Sequence, residues 1–293
     1  MTTDDPSRSG DRDTGPTALR IVLGAQLRRL REAAGLSRAE AGYQIRGSDS
    51  KISRLELGRV GLKVRDVTDL LTMYGMTDED AREKFLAMVR RSNEPGWWHR
   101  YSDLMPDWFQ DYVGLEEAAA RILTYETQFV PGLLQTEDYA RAIASHGRAE
   151  LATAEVERRV KLRMDRQKIL WRPTAPRLWA VIDESVLHRP IGGRRVLREQ
   201  LDHLLEVTEQ PQVTLQVVPY ELSGYAAEGP FSVLRFGEPD LPDIVYVEHL
   251  AGALYLDKRE ELEMYGRVFD RLTVDAETPD RSRQLLAKRR AEL

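Results

Sequence analysis

Cysteine is absent from the 293 residues, so neither a disulfide nor a thiolate metal site can form, and a reducing cytoplasm is the fitting compartment. No apolar run approaches the ~20 residues that a membrane span needs. Residues 1–17 hold Asp, Arg, Ser, Gly, Thr and Pro without an apolar stretch, which reads as a disordered tail and not as a secretion signal. The five histidines, His99, His146, His188, His203 and His249, are scattered, and no pair has the spacing of a helical zinc site. There is no Gly-x-Ser-x-Gly elbow, no Walker loop and no Gly-x-Gly-x-x-Gly. The sequence therefore asks for no metal and no cofactor, and enzymatic chemistry is not the expectation.

Charge is plentiful but unevenly placed. The net charge is −5, which taken whole disfavours a nucleic-acid partner. Residues 19–75, however, carry eleven basic against six acidic side chains, or +5, which leaves about −10 for the remainder. A basic head on an acidic body is the pattern expected when only one part meets phosphate.

The head reads as a succession of short helices. Leu23, Leu27 and Leu30 lie at i, i+4 and i+7 of the first, with Arg28, Arg29 and Arg31 off that stripe and Gly35 as its stop. Ser37 with Glu40 has capping-box spacing and opens a second helix ending near Ile45, on which small Ala41 and Gly42 permit close approach. Arg46-Gly47 makes the turn, Gly47 being the residue free to take positive φ. Ser48 caps a third helix over 49–57. Helices over 64–76 and 78–91 complete a bundle around Leu23, Leu27, Ile52, Leu55, Val67 and Leu71.

Ser50-Lys51-Ile52-Ser53-Arg54-Leu55-Glu56-x-Gly58-Arg59, with the helix pair before it, resembles the helix-turn-helix of the Cro/lambda-repressor (Xre) superfamily. The resemblance implies binding to double-stranded DNA, with residues 49–57 as a recognition helix in the major groove. Ser48, Asp49, Ser50, Lys51, Ser53 and Arg54 then face the groove, while Arg38, Arg59 and Lys63 are placed for phosphate. Two departures stand out: Arg46 where the family has glycine, and Asp49 where it often has an amide or proline. Asp49 could accept from a cytosine amino group, or could serve the helix N-terminus.

Residues 92–110 interleave aromatics with Arg and His, including Trp97, Trp98 and Trp108. Such a stretch can stack on bases, but adjacent tryptophans more often pin a connector to a neighbouring surface. With the head at 18–91, the body then runs from 111 to 293. Helices are expected over 112–121, 137–146, 154–171, 194–209, 258–274 and 280–291. Strands are expected over 122–130, 177–182, 213–218, 231–236, 244–249 and 253–256. The spacing favours parallel pairing early and antiparallel pairing late. The fold class expected is thus an N-terminal all-α helix-turn-helix bundle followed by an α+β domain, a small mixed sheet covered by helices.

Tyr112-Val113-Gly114-Leu115-Glu116, Phe129-Val130-Pro131-Gly132-Leu133-Leu134-Gln135-Thr136, Tyr246-Val247-Glu248-His249 and Ala253-Leu254-Tyr255-Leu256-Asp257 resemble the C-terminal domain of actinomycete WhiJ-like and Scr1-type regulators. That resemblance implies a cytoplasmic transcription regulator modulated by a small acidic partner protein; action as a homodimer on two half-sites is expected with it. Trp97, Trp98, Tyr225, Glu248, His249 and Tyr255 are the candidate partner or ligand residues. A small-molecule sensor built on the same body is the alternative. The loop over 222–230, with Tyr225, could close on a ligand or simply join two strands. The Gly192-Gly193-Arg194-Arg195 loop could cradle an anion or be an ordinary loop.

Overall fold

The structure, a computed structural model, describes residues 15–146, 152–221, 227, 229–237 and 241–293. The chain divides into two compact units. One comprises the residues up to Arg100 with the short segment Gly237–Leu241; the other comprises Tyr101–Phe236 and Pro242–Leu293.

The described residues of the first unit form five α-helices: α1 Pro16–Ala33, α2 Arg38–Gln44, α3 Asp49–Glu56, α4 Val64–Met73 and α5 Glu79–Ser92. α1 starts at Pro16, earlier than the apolar stripe indicates, and Thr17 and Ala18 are already buried. Proline suits the first helical position because its φ is preset and its missing N–H has no partner to lose. Expected caps form. Ser37 Oγ accepts from Glu40 N while Glu40 Oε2 accepts from Ser37 N. Ser48 Oγ accepts from Lys51 N. The core joins Leu19, Leu23, Leu27, Ile52, Leu55, Val67, Leu70, Leu71, Phe85 and Val89. α1 crosses α3 at Gly24, where a Cβ would lie 2.5 Å from Leu55 O and 2.7 Å from Glu56 O.

The second unit is built on a six-stranded mixed sheet: β1 Arg121–Glu126, β2 Arg177–Asp183, β3 Val213–Val218, β4 Phe231–Arg235, β5 Ile244–His249 and β6 Gly252–Leu256. Its order is β3-β2-β1-β4-β5-β6, parallel among β1, β2 and β3 and antiparallel from β1 through β4 and β5 to β6. The early crossovers carry helices. After α6 Asp107–Ala118 come α7 Glu137–Ser145 and α8 Thr153–Gln167 between β1 and β2. A single turn, α9 Ser185–His188, and α10 Arg194–Val207 join β2 to β3. The close hairpin spacing of the later strands forces antiparallel pairing. α11 Arg259–Asp275 lays Phe269 and Leu272 on Leu123, Tyr125, Val181, Phe231, Val233 and Val245. The alternate residues Ile122, Thr124, Ala180 and Ile182 are buried too, so the central strands are covered on both faces. α12 Pro279–Ala291 closes the β3 edge: Ser282 Oγ accepts from Val217 N, and Glu277 N donates to Val217 O. Residues 122–130, read as one strand, end their ladder at Glu126. Gly132–Leu134 then forms a 3-10 turn.

Candidate nucleic-acid interface

The turn between α2 and α3 differs from its sequence reading. Arg46, not Gly47, takes the left-handed conformation, with φ 53°. Arg46 N donates to Tyr43 O and Gly47 N donates to Gly42 O, the paired bonds of a Schellman motif. The motif demands left-handed backbone one residue beyond the C-cap, Ile45, and that residue is Arg46. Gly42 earns its small size: a Cβ there would sit 2.9 Å from Ser48 C.

α3 buries Ile52, Leu55 and Glu56 and turns the rest outward. Glu56 is locked in a forked pair with Arg31, Nε to Oε1 at 2.5 Å and Nη2 to Oε2 at 3.0 Å, both side chains buried. Arg31 Nη1 also donates to Leu36 O at 2.7 Å. Arg31, expected off the apolar stripe, therefore belongs to the interior. The Glu56 carboxylate raises the Arg31 pKa against the opposing effect of burial. Tyr74 lies near the pair with its hydroxyl buried and without a hydrogen bond; burial foremost, then the Glu56 charge, pushes it up to about 12.

The nine residues expected at DNA are not equally available. Lys51 Nζ is held 2.6 Å from Asp66 Oδ2 in the first turn of α4. Arg38 pairs with Asp49 at 3.2 Å and reaches Ser53 Oγ at 3.4 Å. Ser48 is occupied as N-cap. Ser50 is exposed beside Arg54, whose Nε makes only a 3.4 Å contact to Ser50 O. Arg59 and Lys63 are exposed. Ser50, Arg54, Arg59 and Lys63 are thus exposed and without an acidic partner among the described residues, while Arg38 and Asp49 are taken up with each other. Tyr43, on α2 and 87% exposed, was passed over in the sequence because it fits no apolar stripe.

The candidate partner or ligand residues fall in both units. Trp97 and Trp98 meet edge to face at 6.0 Å, Trp98 buried, at the start of a 3-10 segment, Trp97–Leu104. Glu248, His249 and Tyr255 sit on the β5–β6 hairpin. Glu248 accepts from Tyr246 Oη at 2.8 Å, His249 Nδ1 accepts from Ala251 N, and Tyr255 Oη donates to Trp108 O. Tyr225 and most of its loop lie outside the described residues. The arginines after Gly193 are engaged elsewhere, Arg195 with Glu199 and Asp138 and Arg194 with Glu292 O.

The Pro131–Thr136 string proves to be an internal staple. Buried Gln135 donates to Val130 O and accepts from Arg163, Gln167 donates to Gly132 O and Gln135 O, and buried Gln200 bonds both Leu134 O and Thr136 N. α7, α8 and α10 are tied together through it. A second buried fork, Glu116 with Arg166 at 2.8 and 2.9 Å, lies under the rings of Phe109 and Tyr112. Glu126, at the end of β1, is pushed up to about 8, first by burial and then by Glu248, against the pull of Arg163.

The five-helix unit, with its capped α2–turn–α3 pair and outward basic face, defines a helix-turn-helix DNA-binding regulator of Xre-like type. Comparison with family models agrees: a helix-turn-helix domain model matches residues 22–85. A second model, described as a domain of unknown function (DUF5753), matches residues 109–288, and the protein belongs to that family. No curated protein and no solved structure matches the chain.

Proposed function

We propose that the protein is a cytoplasmic, sequence-specific transcription regulator that binds operator DNA as a homodimer through α3. One observation carries this reading. Eight residues of α3 are fixed from behind by Ile52, Leu55 and the Arg31–Glu56 fork, so that Ser50 and Arg54 stand outward on a rigid element. Arg54 is the base-reading side chain, suited to guanine O6 and N7. Ser50 assists, and Arg59 and Lys63 hold phosphate. Selection of bound duplexes from a random pool by the full chain should enrich one recurrent motif; a pool that returns unenriched would sink the proposal.

The body, on this reading, is the regulatory part and receives a small partner protein, as its likeness to the WhiJ-like and Scr1-type regulators implies. The support is the asymmetry of its sheet. The β3 edge is covered by α12, whereas β6 is the terminal strand at the other edge and carries neither charge nor proline. Leu250 at its hairpin tip is fully exposed and Leu254 half-exposed. An added strand from a partner would pair with the outward backbone of Ala253 and Tyr255. Leu254→Lys should abolish partner recovery in a pull-down while leaving DNA affinity intact; retention of the partner by that variant would refute the edge as its site.

A further inference from the structure

Four helices of the first unit end in the same way. After α1, α2, α3 and α4, two backbone bonds run to the last turn: Gly35 and Leu36, Arg46 and Gly47, Gly58 and Arg59, Gly75 and Met76 supply the donors. In each the first of the two residues is left-handed. Three are glycine, with φ 69°, 66° and 78°; the fourth is Arg46, with φ 53°. An L residue with a Cβ is disfavoured there, and a long side chain offers the turn nothing that glycine lacks. Arg46 is also exposed, and its guanidinium has no hydrogen bond or ion pair with another described residue. It shares the lack of an acidic partner among the described residues with Arg54, Arg59 and Lys63, the cations assigned to DNA above, whereas Arg28, Arg31, Arg38 and Lys51 have acidic partners. Backbone strain kept at a position next to a binding element, with an unengaged charge on it, points to a role in binding. The position is two residues before Ser48, the N-cap of α3.

We propose that Arg46 is a phosphate clamp: it grips the DNA backbone beside the groove that α3 enters and fixes the register of the recognition helix. This rests on α3 being the reading helix. A turn leading into a groove-bound helix lies beside the sugar–phosphate strand, and contacts of that kind position a protein without reading sequence. The turn here gives up stability to place a cation at that point.

The test uses the full chain, its selected duplex, and the variants Arg46→Gly, Arg46→Lys and Arg54→Ala. Arg46→Gly removes the charge and relieves the turn together, so it is expected to melt higher and bind more weakly, with its base preference unchanged. Its slope of log K against log salt should be shallower by about 0.9, which makes the loss of affinity between 50 and 200 mM salt about threefold smaller than for the wild type. Arg46→Lys should keep the wild-type slope. An unchanged slope in Arg46→Gly, whatever its affinity, overturns the proposal. If Arg54→Ala weakens binding while Arg46→Gly keeps the wild-type slope, only the clamp is wrong. If the wild-type chain selects no duplex, the reading of α3 falls and the clamp with it.

Discussion

Among single residues, the buried forks matter most to the two units. Arg31 and Glu56 are charged, buried and mutually satisfied, so losing one partner strands the other in a low-dielectric interior. Glu56→Ala is expected to destabilise the helical unit by about 3 kcal/mol or more, and replacing both residues with methionine should recover most of it. Urea unfolding of the variants checks this; equal losses in the single and double variants would contradict it. Glu126 gives a pH signature instead. Its carboxyl stays protonated in the folded protein after the unfolded chain has lost its proton. The folded state therefore loses stability as pH rises from about 4.5 to about 8. Glu126→Gln should gain on the wild type across that window, in parallel denaturations at pH 5 and pH 8. A constant difference between the two would show that Glu126 is ionised in both states.

For the helices and strands, close approach decides more than propensity. Gly24 lies inside α1, where alanine is the better helix former by about 1 kcal/mol. Its Cβ would nevertheless strike the last carbonyls of α3, so Gly24→Ala is expected to lower the melting temperature and to shift α3. A rise in melting temperature would mean that the two helices have room to part. The helices themselves were legible in the sequence, since apolar spacing and side-chain caps are local. The strands were legible for the same reason, and the switch from parallel to antiparallel pairing followed from connection length. What was not legible came from longer range. In the α2–α3 turn residue type points to Gly47, yet the hydrogen-bond register places Arg46 in the left-handed position. Arg31 lies off the apolar stripe, and nothing local marks it as buried, because its partner, Glu56, is 25 residues away. Lys51 looked free for the same reason; Asp66 lies 15 residues on.

Taken whole, the molecule joins a basic helix-turn-helix unit to an acidic α+β unit. Pro131–Thr136 carried part of the family resemblance, and its groups bond α8 through Arg163 and Gln167 and α10 through Gln200, with Thr136 capping α7. On the proposed function the β5–β6 hairpin, which carries Glu248, His249 and Tyr255 and lies where the sheet ends, is the surface for regulation. The central claim remains that α3 reads DNA through Arg54. Its most direct test is the affinity of the wild type and of Arg54→Ala for the selected duplex and for versions with single guanines replaced. The account predicts a loss of about 1–3 kcal/mol in the variant, and indifference of the variant to the one guanine that the wild type requires. Equal affinity and an unchanged base preference in Arg54→Ala would contradict it.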